Sequence, residues 1–114
     1  MRIGDSNSVI TRRRNPLRFT IARILIRTGL CRFFLLKQKN YVLRFFPTPF
    51  SRELWINKEY QHTANIFFSD YLKFGDVVID IGANIGTVTL ESAVKVSSKG
   101  RVYSIEPDKK IFKF

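Results

Sequence analysis

The sequence has 114 residues, enough for one small domain, and its 45% apolar and 25% charged residues are typical of a folded globular protein. Its 20 lysines and arginines against 9 aspartates and glutamates give a formal net charge of +11, which raises the question of a nucleic acid or an anionic lipid as partner. A single cysteine, Cys31, excludes an intramolecular disulfide and a Cys-rich zinc site, and a single histidine, His62, excludes a His-based metal cluster.

The net positive charge is confined to the first half of the chain. Residues 1–58 contain thirteen basic and two acidic side chains and so hold the whole excess, whereas residues 59–114 contain seven of each sign. We divide the chain into a basic helical leader, residues 1–40, and a nearly charge-balanced portion, residues 41–114, which contains ten basic and eight acidic side chains.

The leader is predicted to form a helix over residues 17–36. Four arginines interrupt this segment, whereas a membrane span needs roughly 18 or more nearly uncharged apolar residues. No apolar run suits a secretory signal, and Asp5 argues against an organellar transit peptide, which the arginine-rich composition would otherwise favour. We expect a cytoplasmic protein whose leader helix packs on a larger body with its arginines in solvent. A helix that binds a partner is the alternative.

A small β-hairpin and a second helix are predicted next, within residues 41–73. Residues 41–46 (YVLRFF) form a strand that breaks at Pro47, and residues 53–57 (ELWIN) form its partner. Apolar residues at helical spacing predict a helix over residues 59–73.

Residues 77–114 are predicted to form a right-handed βαβ unit followed by the start of another helix. The first strand (VVIDI) is almost continuously apolar and β-branched, a pattern typical of a parallel strand covered on both faces. It leads through a GANIG loop at residues 82–86 into a helix over residues 87–96. The second strand follows at residues 101–105, so the fold class is α/β.

The loop between the first strand and its helix has the residue types of a nucleotide-cofactor site. Gly82 permits a sharp turn, Asn84 tolerates left-handed backbone and can cap the helix, and Gly86 leaves room for ligand or sheet in the first turn. The start of the helix offers free N–H groups to a polar ligand. Twenty positions after Gly86, Glu106 ends the second strand, where an acid can bind both hydroxyls of a ribose.

The same loop favours S-adenosylmethionine over a dinucleotide as the cofactor. Dinucleotide-binding loops have the pattern G-x-G-x-x-G, but here Asn84 stands in place of the middle glycine. Asp80, just before the loop, would repel a pyrophosphate and attract the ammonium group of a methionine moiety. The sequence contains no G-x-x-x-x-G-K-[ST] motif, so nucleoside triphosphate hydrolysis has no support.

The string GDVVIDIGANIG at residues 75–86, with GRVYSIEPD at residues 100–108, closely resembles the FkbM family of S-adenosylmethionine-dependent methyltransferases, and the resemblance covers roughly residues 40–114. It implies the start of a Rossmann-like doubly wound sheet and, in general, O-methylation of a small molecule or sugar. It also implies that Glu106 is the ribose-binding acid. The residues that match the family's cofactor loop are Asp80, Gly82, Ala83, Asn84 and Gly86.

The chain supplies only two strands of such a sheet, so we expect an N-terminal fragment that binds the cofactor poorly and is inactive alone. The acceptor-binding residues and any catalytic base would lie beyond Phe114. Two alternatives remain: a nucleic-acid methyltransferase with the leader as an RNA-binding arm, and a non-catalytic basic protein that docks on nucleic acid or anionic lipid. Nucleic-acid binding would need basic residues interleaved with exposed aromatics on one face, a pattern that the helical wheel lacks.

Overall fold

The computed structural model describes residues 10–57, 60 and 62–113, without the side chains of residues 62–65. The chain divides into two compact units. The leader unit comprises Met1–Leu36 and Arg44–Tyr60, and the sheet unit comprises Lys37–Leu43 and Gln61–Phe114. The division into a leader of residues 1–40 and a methyltransferase portion of residues 41–114 stays a prediction.

The first long helix of the leader unit, α1, spans Pro16–Thr28 and follows a helical stretch at residues 10–14. It ends because Gly29 adopts a left-handed conformation, with φ of +74°, and donates its N–H to the carbonyl of Ile26. A 3₁₀ turn, Leu30–Phe33, follows. The helix predicted over residues 17–36 is therefore too long. No helix in the described ranges is both long and apolar enough to cross a membrane.

A small hairpin follows, but its strands are not the predicted pair. Strand β1, Leu35–Lys37, pairs with β2, Val42–Arg44. The predicted partner, residues 53–57, instead belongs mainly to helix α2, Pro49–Ile56. The cause is local: Thr48 accepts a hydrogen bond from the N–H of Ser51, and Pro49 occupies the first turn, so these residues begin a helix.

The core of the leader unit is built from both helices and the chain between them. Phe19 and Ala22 of α1 are buried, as are Cys31, Phe45 and Leu54. The ring of Phe45 stacks on Trp55, with centroids 6.0 Å apart. Burial raises the pKa of the Cys31 thiol, because the thiolate would lose its hydration there.

The elements of the sheet unit agree closely with the sequence predictions. Helix α3 spans His62–Tyr71, within the predicted residues 59–73, of which 59 and 61 lie outside the described part. Strand β3, Val77–Ile81, helix α4, Thr87–Val96, and strand β4, Arg101–Ile105, have the predicted bounds, and α5, Lys109–Phe112, follows.

Strands β3 and β4 are parallel, with Val77 opposite Arg101 and Ile81 opposite Ile105. This pairing confirms the βαβ unit and the α/β class. Alternate residues of β3 point to opposite faces, and α4 packs on the face that carries Asp80. Ile79 and Ile81 lie on the other face and are 64% and 80% exposed. The prediction of a strand covered on both faces is therefore wrong for the part of the chain that the structure describes.

Candidate functional site

The backbone of the GANIG loop turns through three residues with positive φ: Gly82 at +80°, Asn84 at +53° and Gly86 at +87°. The N–H groups of Gly82 and Ala83 both donate to the carbonyl of Ile105, at 2.8 and 3.1 Å, which ties the loop to the end of β4. The left-handed conformation predicted for Asn84 is confirmed.

The glycines of this loop are required by their backbone angles. A Cβ atom at Gly82 or Gly86 would meet no atom of the described residues within 4 Å, so the expectation that Gly86 makes room for the sheet is wrong. Gly86 directly precedes the first residue of α4, in the N-cap position, and no side chain caps this end of the helix. The predicted capping role of Asn84 is also wrong, because the side chain of Asn84 makes no hydrogen bond to the helix.

Glu106 connects the end of β4 to the glycine loop. One carboxylate oxygen, Oε2, accepts the N–H of Asn84 at 2.6 Å, and the other, Oε1, accepts the N–H of Asp108 at 2.7 Å. An ionised carboxylate has about four acceptor positions, so about two remain for a ligand. Asp108 in turn accepts the N–H groups of Lys110 and Ile111, which begins α5 beside the same loop.

Asp80 is connected to the end of β4 through the side chain of Thr89. Its Oδ2 accepts the hydroxyl of Thr89 at 2.5 Å, and the oxygen of Thr89 is also 3.0 Å from that of Ser104. Ser104 is the residue opposite Asp80 in the parallel register. Asp80 and Ser104 are thus linked through a side chain from the first turns of α4.

A cavity of about 350 Å³ opens beside the loop. It brings together three of the predicted loop residues, Ala83, Asn84 and Gly86, with Glu106, whereas Asp80 and Gly82 are not part of its lining. Several other lining residues were not predicted from the sequence. They are Ile85, Thr89, Leu90, Ser104, Ile111 and Phe112.

Two of these lining residues carry a signal in the sequence. Ser104 is two residues before Glu106, and the alternation of side chains along a strand puts both on one side. Thr89 is three residues after Gly86, in the first helical turn. Ile111 and Phe112 carry no such signal, because their place depends on where Asp108 begins the last helix.

Neither a protein-family model nor a solved structure matches the chain. Among curated proteins it is similar to a probable cobalt-precorrin-6B C(15)-methyltransferase (decarboxylating) of Saccharolobus solfataricus, with 44% identity over 39 residues. The similarity supports a methyltransferase. The aligned residues are 34% of this chain and 20% of the relative, so the chain covers about a fifth of that enzyme's length. The FkbM family in particular is not shown by this similarity.

Proposed function

We propose that the chain forms the cofactor-binding part of an S-adenosylmethionine-dependent methyltransferase, with the cofactor in the cavity beside the glycine loop. The observation that carries the proposal is the 2.6 Å hydrogen bond from the N–H of Asn84 to the carboxylate of Glu106. This bond joins Glu106, the acid expected to bind the ribose, to the loop expected to bind the rest of the cofactor. Both line the same cavity. The similarity to an enzyme named as a methyltransferase supports the same class.

The lining residues fit an adenosine group. Glu106 keeps about two acceptor positions, which match the two hydroxyls of a ribose. Ile111 and Phe112 offer an apolar wall suited to the flat face of adenine.

The polar side of the cavity fits a cationic amino acid group. Thr89 donates its only hydroxyl proton to Asp80, so in the contact between Thr89 and Ser104 the donor must be Ser104. The oxygen of Thr89 can therefore act towards a ligand only as a hydrogen-bond acceptor. The negative charge of Asp80 behind it favours an ammonium or sulfonium group and disfavours a pyrophosphate.

When bound, S-adenosylmethionine would supply an electrophilic methyl group on its sulfonium. The residues of this chain would hold the ribose and orient the amino acid end, which fixes where that methyl group lies. From the resemblance to the FkbM family we further propose a Rossmann-like doubly wound sheet that begins with β3 and β4. The same resemblance favours a hydroxyl or carboxylate of a small molecule or sugar as the acceptor, in a cytoplasmic enzyme.

A titration of S-adenosylmethionine followed by ¹H–¹⁵N NMR tests the proposal, because NMR detects weak as well as tight binding. We expect chemical-shift changes at residues 82–86 and 104–106. Glu106→Gln should weaken binding by at least about tenfold, since it removes the charge that accepts the ribose hydroxyls. Asp70→Asn removes an exposed carboxylate of α3 and is the matched control, with unchanged binding.

Two results would contradict this proposal. One is the absence of shift changes around the glycine loop at millimolar S-adenosylmethionine. The other is equal binding of NAD, whose pyrophosphate should be disfavoured by Asp80.

A further inference from the structure

A second cavity, in the leader unit, is lined by three arginines. It has a volume of about 210 Å³ and lies between α1 and the start of α2. Arg23 and Arg27 come from α1 and Arg52 from α2, while Pro47 and Pro49 form part of the wall. No carboxylate is among the lining residues in the described part of the chain. We name this site the arginine cavity.

Two of its arginines, Arg23 and Arg27, lie side by side on α1, where their positive charges repel each other. Arg23 and Arg27 are four residues apart on α1 and therefore lie on the same face of the helix, where like charges slightly destabilise it. Both side chains are exposed, and within the described residues neither pairs with a carboxylate. Between Asp5 and Glu53 the sequence offers no acidic residue that could neutralise them. The charge of this pair is therefore available to an anion.

The third arginine is held in place by the fold. Nε and one Nη of Arg52 donate to the buried carboxylate of Glu53 at 3.3 and 3.2 Å, and its guanidinium lies 4.6 Å from the ring centre of Phe19. The other oxygen of Glu53 accepts the hydroxyl of Thr11. Within the described residues the second Nη of Arg52 has no hydrogen-bond partner, so it can donate to a ligand without the cost of ordering the side chain.

The positive potential of this cavity comes from the guanidinium groups. Pro49 has no N–H, and the N–H of Ser51 is already bound to Thr48, so the start of α2 contributes few free donors. Planar guanidinium groups bind the oxygens of phosphate with two parallel hydrogen bonds, and three of them can surround one phosphate.

We propose that the arginine cavity binds the phosphate group of a small phosphorylated molecule. Its volume is below the range usual for drug-sized ligands, which suits a phosphate with a small organic group against the two prolines. A single-stranded nucleic acid would need aromatic side chains on which its bases could stack, and none lines this cavity in the described part of the chain. The inference is independent of methyl transfer.

Pyrophosphate is the first probe, titrated into the full chain at constant ionic strength and followed by NMR and by the fluorescence of Trp55, the only tryptophan. Inorganic phosphate and a hexose phosphate are titrated in the same way. The double variant Arg23→Gln/Arg27→Gln should bind at least about tenfold more weakly than the unaltered chain.

The matched control is Arg12→Gln/Arg18→Gln, which removes two exposed charges of the leader unit that do not line the cavity. It should lose less than about twofold in affinity, since distant exposed charges are largely screened. All four substituted side chains are exposed, so both variants should fold, and their unfolding midpoints are measured to check this.

Three outcomes would overturn the proposal. Equal weakening in the two double variants would show that net charge binds the anion. Tighter binding of a short RNA than of pyrophosphate, with a steep salt dependence, would assign the surface to nucleic acid. Binding to vesicles that contain phosphatidylglycerol but not to soluble phosphates would assign it to a membrane surface.

Discussion

Gly100 is needed because two parts of the backbone come close together, and its own backbone angle is ordinary. Its φ is −91°, but a Cβ atom there would lie 2.3 Å from Cβ of Val96 and 2.7 Å from the carbonyl oxygen of Asp76. The neighbouring bond from the N–H of Arg101 to that oxygen, at 3.0 Å, fixes the start of β4 against β3. Any side chain at position 100 would force these groups apart.

Gly100→Ala should therefore lower the free energy of unfolding by about 1–3 kcal/mol, the usual cost of overpacking. Ser98→Ala, at an exposed position of the same turn, should change it by less than about 0.5 kcal/mol. Urea unfolding of the two variants provides the measurement. If the two variants were equally stable, the turn at Gly100 would have to accommodate a methyl group without loss of stability.

Single residues of the candidate site were predictable where the signal was local. Asn84 and Glu106 stand at a strand-to-helix loop and a strand end, positions that the sequence marks by itself. The setting of Asp80 was not predictable, because its bond to Thr89 depends on how α4 packs on β3. Whether these residues bind S-adenosylmethionine stays a prediction.

At the scale of elements, the sheet of β3 and β4 has one covered and one exposed face. Val96 of α4 is 1% exposed, whereas Ile79 of β3 is 64% exposed. Tyr103, opposite Ile79, is 51% exposed on the same open face. Residues of similar apolar character in this unit should therefore differ strongly in what they contribute to stability.

Ile79→Thr should change the free energy of unfolding by less than about 0.5 kcal/mol, because the side chain is already in water and threonine keeps the β-branch. Val96→Ala should cost about 2 kcal/mol through lost burial and the cavity left behind. Chemical unfolding of both variants compares them directly. A loss at Ile79 as large as that at Val96 would show that the open face is covered in solution.

Element type was predictable where the pattern had one interpretation. The apolar strand of residues 77–81, bounded by glycines, had its bounds confirmed. Residues 53–57 were misassigned because a short apolar run such as LWI suits a strand or a helix. The hydrogen bond from the N–H of Ser51 to the side chain of Thr48 decided for a helix. The prediction of one long leader helix was wrong beyond Thr28, because Gly29 adopts a left-handed conformation and ends the helix. Residues 35–37 then form a strand of the hairpin.

For the molecule as a whole, the charge is divided unequally between the two units. The leader unit contains eleven basic and three acidic residues, and the sheet unit contains nine and six. Repulsion among like charges opposes the compact state and weakens as salt shortens the screening length from about 30 Å at 0.01 M to about 8 Å at 0.15 M. Salt should therefore stabilise the leader unit more than the sheet unit.

Amide hydrogen exchange in increasing sodium chloride measures this difference, because it reports on each unit separately. Protection of the amides of α1 should rise between 0.01 and about 0.15 M salt, and that of β3 and β4 should rise less. Chloride is used because phosphate would also occupy the proposed arginine cavity. In Arg12→Gln/Arg18→Gln, which carries two fewer charges on the leader unit, the gain in α1 should shrink. If protection rose equally in both units and the substitutions did not alter this rise, salt would be strengthening apolar burial throughout the chain. Repulsion among the arginines would then be too weak to matter.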